Sequence, residues 1–364
     1  MAVAEAELHP DLSRIHAYSR EDKGHSPPAV THFINGQKNL YYINASHNYG
    51  SGTSRPLETP TCRTIEQAIV RYKPKCVVVE ALHANDGLSP PAILNQARRR
   101  VEEARSGKPV LDEWEYAAVL ADENGIPFIG GEPPGPLLLK EMAAQGYFAK
   151  DVMAYHLLRR IPYEKYYGRM QDEAQFVRDA EQYLRESPEF KHIPPQDRLT
   201  VEEFRVWYDQ HKSENKNYLD ADSDLTPFSD KDATYLQIMS YAEMMIRDKS
   251  AISTISDALN TYGDVLVIYG GSHLTTSRPV WEQMFQSKGE TVQLVPDDRK
   301  LLPVAPAKSD PIVPHNPPAK RNIIIKVAAG ASIALAGLMT ADFLLQQGKA
   351  SKKVLESVRG WVGR

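Results

Sequence analysis

Cysteine is close to absent: Cys62 and Cys76 are the only two in 364 residues, and their separation matches no ligand spacing. That argues against a disulfide scaffold and a structural zinc site and fits a reducing compartment. An excess of charge of one sign is missing too. Lys and Arg number 43 against 47 Asp and Glu, a formal net charge of −4, which gives no reason to expect nucleic acid as a partner. The first residues lack a basic stretch followed by an apolar one, so no secretory signal is expected. No Gly-rich phosphate loop, nucleophile-elbow serine or His-Glu-x-x-His pattern occurs. Asp220-Ala-Asp222-Ser-Asp224 imitates the start of a calcium loop. Its sixth position is not glycine, however, and Lys231 stands where the bidentate Glu belongs.

What is present is the patterning of a folded α/β chain. Residues 1–28 are polar and read as a flexible lead-in. Two apolar runs then flank Asn35-Gly36, the strongest short signal for a β-hairpin. Thr61 or Thr64 is expected to cap a helix that presents Ile65, Ala68, Ile69 and Tyr72 on one face and stops at Pro74. The run "KCVVVEALH" reads as a strand buried on both faces. Helical spacing returns over 91–105 and 112–123, and "GIPFIGGEPPG" supplies another strand and a sharp turn. Arg98-Arg99-Arg100 lies beside Glu102 and Glu103 on a helix and reads as a solvated face.

Residues 137–260 carry helical patterns only, at 137–145, 150–160, 171–185, 201–211 and 229–260, and read as a helical insertion. "DVLVIYGGSHL" returns as a strand. A helix around "SRPVWEQMFQSKG" and a strand "TVQLVPD" complete a further β-α-β unit. The expected fold is therefore a wound, mixed or parallel α/β sheet over residues 29–300 with a large helical insertion.

Beyond it, residues 301–321 are rich in proline and read as a stiff linker. Residues 322–346 form an apolar segment about long enough to span a bilayer, interrupted by Lys326 and Asp342. Its position beyond a linker favours a single-pass membrane anchor with the main domain in the cytoplasm. The alternative is a soluble cytoplasmic protein in which the segment packs into its own chain or a homo-oligomer. Residues 347–364 form a basic amphipathic tail.

In wound sheets, sites form outside the carboxyl ends of the strands. Four strand ends here present chemistry: His47 in "NASH", Glu80 in "VVVEALH", Glu132 in "GGEP" and His273 in "GGSH". Two imidazoles and one or two carboxylates are what a catalytic divalent ion needs, with an open position left for water. The same groups without metal suit acid–base catalysis by a His oriented by a Glu. Each taken alone has a plainer reading: Glu80 and Glu132 as helix caps or partners of a structural Arg, His83 and Asn85 as loop residues, Arg55 as an exposed loop cation. The Gly270-Gly271 turn is expected to free His273 from its strand.

The order of these motifs resembles the TraB/PrgY–GumN–Tiki group, within a superfamily that includes ChaN-like haem-binding proteins and erythromycin esterases. The resemblance covers roughly residues 30–297. It rests on "NGQKNLYYINASH", on "IEQAIVRYKPKCVVVEAL", and on a long helix carrying Arg247-Asp248 before Gly270 to His273. It implies a metal-dependent hydrolase, most readily a peptidase acting on a peptide or other small polar substrate. His47, Glu80 and His273 would hold a divalent ion of the Zn, Mn or Co class. Glu80 or Glu132 would accept the proton, with Arg247 supporting the site. Asn44 departs from the family's glycine in the first motif, and its tolerance of the left-handed conformation is expected to preserve the turn. The other reading is a binding protein for haem or a peptide, without turnover.

Overall fold

The computed structural model describes residues 7–22, 28–45, 56–107, 111–166, 170, 172–187, 190–212, 216–220 and 225–294. His47, Arg55, Asp222, Asp224, the Pro-rich linker, the apolar segment 322–346 and the basic tail lie outside them. Among the described residues, no helix is long and apolar enough to cross a membrane.

β1 (Val30–Asn35) and β2 (Lys38–Ala45) form the expected hairpin, with Gly36 at φ 61° in the turn. That left-handed conformation costs glycine little. α1 (Pro60–Tyr72) leads to β3 (Cys76–His83), and α2 (Pro91–Arg105) with α3 (Glu113–Glu123) leads to β4 (Phe128–Glu132). The chain then runs through α4 (Gly135–Ala144), α5 (Ala149–Tyr166), α6 (Glu173–Glu186) and α7 (Val201–His211). α8 (Tyr235–Tyr262) returns it to β5 (Asp264–Gly270), followed by α9 (Gly271–Phe285) and β6 (Glu290–Val292).

The strands are ordered β4-β3-β5-β2-β1-β6. β4, β3, β5 and β2 are mutually parallel, whereas β1 is antiparallel to both β2 and β6, so β1 alone runs against the rest. The fold is thus α/β with a mixed, mostly parallel sheet.

Alternation along the strands splits the core. Tyr41, Ile43, Val77, Val79, Leu266 and Ile268 face α1, α2 and α3. Leu40, Tyr42, Val78, Val265, Val267 and Tyr269 face α9 and the second half of α8. A third cluster is wholly helical and includes Met153, Leu158, Phe176, Phe204 and Met239. α8 belongs to two of these cores. Leu236, Met239, Ala242 and Ile246 join the helical cluster, while Ala251, Ile252, Ile255 and Leu259 cover the sheet. The helical insertion therefore does not end before the sheet resumes: its last helix is also the sheet's own crossover.

Several local expectations shift. The cap of α1 is Thr59, whose hydroxyl accepts from the Cys62 N–H, so Thr61 and Thr64 lie inside the helix. Part of the polar lead-in is tied down. Leu8 is buried, its N–H donating to Asn260 Oδ1 at 2.9 Å and its carbonyl accepting from Ser256 and Asn260. β6 lies three strands from β5 and pairs only with β1, over three residues. The arginine run sits on an ion-paired surface as read, Arg98 meeting Asp122 and Arg100 meeting Glu115.

Glu115 is a buried carboxylate at the first turn of α3, accepting from the Asp112 N–H at 3.0 Å. Burial raises its pKa to about 7. A carboxyl that binds its proton more tightly when folded stabilises below its unfolded pKa and loses that contribution as pH rises through the folded value. The difference is worth about 3 kcal/mol at most. Glu115→Gln keeps an oxygen for the Asp112 N–H, so it is expected to abolish a decline in urea-unfolding stability between pH 4.5 and 7 that the parent chain shows.

Candidate functional site

Strand alternation aims Glu80 at the α8–α9 side. It continues the parity of Cys76 and Val78, which face that layer. Ala81 follows with φ 67°, a left-handed conformation costly for a residue with a Cβ, and the β3–β4 register shifts between Val79 and His83. This irregular strand end closes tightly on β4. A Cβ at Gly130 would lie 2.2 Å from the Leu82 carbonyl oxygen, and one at Gly131 would lie 2.2 Å from the Tyr269 hydroxyl. The glycines of "GGEP" are thus required by close approach, and they bring Glu132 beside Glu80.

Arg247 joins the two carboxylates. Its Nε donates to Glu132 Oε2 at 2.7 Å, and its Nη2 donates to Glu132 Oε1 and Glu80 Oε1, both at 2.8 Å. The second Glu80 oxygen accepts from the Gly270 N–H at 2.8 Å. Burial opposes the arginine's charge, but Glu132 and Glu80 outweigh it and hold its pKa above the ordinary value. The plainer reading of these glutamates as partners of an arginine is therefore correct as geometry.

The next residue along α8 does the reverse. Asp248 is 1% exposed, and its Oδ1 lies 2.5 Å from His273 Nδ1 while its Oδ2 accepts from the Thr276 hydroxyl. His273 Nε2 stands 3.5 Å from Glu80 Oε1. Burial disfavours the imidazolium, yet Asp248 and Glu80 together raise its pKa to about 10. His273 does not project from a loop after a tight turn. α9 begins at Gly271, so the imidazole sits in that helix's first turn, and neither Gly270 nor Gly271 has a positive φ. Its carbonyl accepts from Ser277, whose oxygen accepts in turn from the Trp281 indole at 2.9 Å.

Asn44 is not in a left-handed turn either. It lies within β2 opposite Tyr269 of β5, and its Oδ1 accepts from the Ala29 N–H at 2.6 Å. An extended strand residue needs no glycine, so Asn44 carries no backbone penalty here. The two similar Ser-His stretches leave neighbouring parallel strands, Ala45 opposite Gly270. His47 itself is outside the described residues. Of the four expected groups, Glu80, Glu132 and His273 converge.

Sequence reasoning missed the neighbouring helical wall. Glu243, one turn before Arg247 on α8, accepts from Arg159 at 2.6 Å and lies 2.8 Å from His156 Nε2. Burial would raise its pKa, but His156 and Arg159 push it well below the carboxylate range. The signal was there: charges at i and i+4 on the apolar α8 have to face partners. Asp248 was legible only as part of the Arg-Asp pair. Tyr269, whose buried hydroxyl has no hydrogen-bond partner among the described residues, gave no signal as a strand tyrosine.

A cavity of about 770 Å³ opens from this cluster, lined by Glu132 and Arg247 at the sheet edge and by His156, Arg159 and Arg160 on α5. His83, an open case in the sequence, also lines it, its Nδ1 2.8 Å from the Pro133 carbonyl oxygen.

For a divalent ion, the residues present fit in part. Asp248 on Nδ1 leaves Nε2 as the ligating end, the arrangement that orients metal-binding imidazoles. The 3.5 Å between Nε2 and Glu80 Oε1 matches the roughly 3.4 Å between two donors sharing a tetrahedral ion at about 2.0–2.1 Å. Glu132 fits poorly, because Arg247 holds both its oxygens, and Glu80 fits only if the oxygen facing Nε2, which Arg247 Nη2 also holds, is shared with or released to the ion. Among the described residues, no group of three His, Cys, Asp or Glu side chains is placed to hold a metal, so a third ligand has to come from elsewhere, as His47 was expected to supply.

Comparison with known protein families, with curated proteins and with solved structures yields no match in any of the three.

Removing Arg247 leaves two buried carboxylates face to face. Arg247→Met is expected to lower unfolding free energy by about 3–5 kcal/mol, and Arg247→Lys to recover only part of it, since an ammonium cannot reproduce the forked contact. Gly131→Ala is expected to cost about 1–3 kcal/mol through its clash with Tyr269. Urea denaturation of the three variants measures each effect.

Proposed function

We propose that this chain is a hydrolase of the metal-dependent kind that the TraB/PrgY–GumN–Tiki resemblance implies, most readily a peptidase. The observation that carries it is the His273–Glu80 pair: 3.5 Å apart, the imidazole anchored from behind by Asp248, at the carboxyl ends of parallel strands. His273, Glu80 and His47 are the residues proposed to hold the ion, which when bound would polarise a scissile carbonyl and acidify its water. To serve as a ligand, His273 would have to be neutral with Nε2 free of its proton, and Asp248 on Nδ1 keeps the ring turned so that Nε2 faces Glu80.

The chain's own groups divide the remaining work. Glu132 reaches the cavity while Glu80 does not line it, so Glu132 is the proposed proton acceptor. It takes a proton from the attacking water as the carbon–oxygen bond forms, and returns it to the leaving amine as the carbon–nitrogen bond breaks. Arg247 orients that carboxylate through two N–H groups and supplies positive charge where an oxyanion develops. Tyr269, whose pKa burial holds well above the ordinary value, stays protonated beside it.

The membrane tether through residues 322–346 is part of the same proposal. Its support is the length and position of that segment.

Three measurements test this reading. Elemental analysis is expected to find one divalent ion per purified chain, lost in both His47→Ala and His273→Ala; unchanged stoichiometry in both variants would sink the metal site. Glu132→Gln is expected to keep the ion and lower kcat on a peptide substrate about 10²–10⁴-fold. Truncation after residue 300 is expected to move the protein from the membrane fraction to the supernatant, and equal partitioning of both forms argues against the anchor.

A further inference from the structure

The cavity beside the glutamates has an uneven distribution of charge. On α5, the Arg159 and Arg160 side chains are 41% and 44% exposed, while the carboxylates they meet, Glu243 and Glu164, are 3% and 8% exposed. The cations are therefore the more exposed partners; Glu243 reaches the lining with only 3% of its side chain exposed, and Glu164 does not line the space. Each guanidinium has five N–H donors, and among the described residues one donor apiece is spent, on Glu243 and on Glu164, at 2.6 Å. Arg160 is also held against a ring on the same lining, its guanidinium carbon 4.3 Å from the Tyr183 ring centre. A cation held in place by a ring and a buried acid, with its remaining edge towards a cavity, is preorganised for a second anion.

Glu132, Glu243, Arg247, His83 and His156 give one part of the lining its polar groups, and another part is apolar. Leu138 and Leu139 of α4, Val152 of α5, Phe190 and Leu225 face the same space. Its volume, about 770 Å³, is in the range of small-molecule sites and too small for a folded partner. The space is continuous with the cluster described above. Arg159 meets Glu243, Glu243 lies one helical turn from Arg247, and Arg247 holds Glu132, with all four residues on the lining. A ligand filling it would thus have an anionic end at α5, an apolar body, and its other end at the sheet edge.

We propose that the cavity binds the carboxyl-terminal end of a short peptide or an N-acylated amino acid. Its free carboxylate is held by Arg159 and Arg160, and its apolar side chain by Leu138, Leu139 and Phe190. This deepens the hydrolase reading and rests on it only for the direction of the ligand, which places the last amide bond towards Glu132 and Arg247. Guanidinium forks match carboxylate geometry, and a pair of them rejects a neutral amide in the same place because the donors are then left without a charge partner.

The test is calorimetric titration of the full chain, stripped of divalent ions with chelator, using N-acetyl-leucyl-phenylalanine as the free acid and as its carboxyl-terminal amide. The acid is expected to bind about 10–100-fold more tightly than the amide, the worth of charge-assisted hydrogen bonds. Arg160→Gln is expected to bring the acid down to the affinity of the amide while leaving the amide unchanged, and Arg160→Lys to fall between. Equal affinities of acid and amide for the parent chain overturn the proposal, as does absence of binding by either at millimolar concentration. Retention of the acid preference in Arg160→Gln overturns it as well. Should that variant fail to fold, the comparison on the parent chain still decides. Adding Mn²⁺ and following cleavage of the same acid separates the two readings. Acid-selective binding without cleavage leaves this proposal and removes the peptidase; cleavage with no preference for the acid does the opposite.

Discussion

One arginine holds the sheet edge together. Arg247 bridges carboxylates from two adjacent strands, and two buried glutamates so close are tolerable only with a cation between them. The residue after it on α8, Asp248, is a buried anion compensated by His273 of α9. Two consecutive residues of opposite charge thus fasten the midpoint of one helix to β3, β4 and α9. This is the point where α8 leaves the helical core and begins to cover the sheet. The position of that long helix, and with it the mouth of the cavity, follows from satisfying these charges.

The same network sets the chemistry. Glu80 sits between three claims: a guanidinium, a backbone N–H and an imidazole. Because Arg247 takes both oxygens of Glu132 but only one of Glu80, the two glutamates are unequal despite their similar places in the chain. Glu80 stays beside His273, and Glu132 faces the cavity. Arg247 and His273 lie against the two glutamates, so neither carboxylate is left without a cationic or imidazole neighbour.

Much of the frame was legible in the sequence. The hairpin at Asn35-Gly36, the apolar β3 and β5, and the helices α2, α3, α6 and α7 follow from periodicity and turn chemistry that act over a few residues. Of the four groups that the strand-end rule named, Glu80, Glu132 and His273 lie close together, with His273 in the first turn of α9, and His47 is outside the described residues. Local rules failed where a neighbour in space overrode them. At α1 a local rule was misapplied: Pro60 takes the first helical position, which makes Thr59, rather than Thr61 or Thr64, the cap. Asn44 and Gly270-Gly271 suggested tight turns, yet Asn44 lies within a parallel strand and the two glycines lead directly into α9. For the helical wall, the charges at Glu243 and Arg247 on the apolar α8 signalled that partners were needed, but not that they were His156 and Arg159, which lie 84 to 87 residues away.

By itself, then, the sequence determined the elements, their alternating faces and which strand ends carry titratable groups, since each depends on spacings within one segment. Only the tertiary structure decided which charge meets which. Glu80 and Arg247 are separated by 167 residues and Glu132 and Arg247 by 115, so no local pattern records their meeting. Burial makes an unpaired charge costly but does not name its partner. The register of β3 against β5, the left-handed Ala81 and the course of α8 name it, and in doing so they separate a carboxylate beside an imidazole from one that faces a cavity.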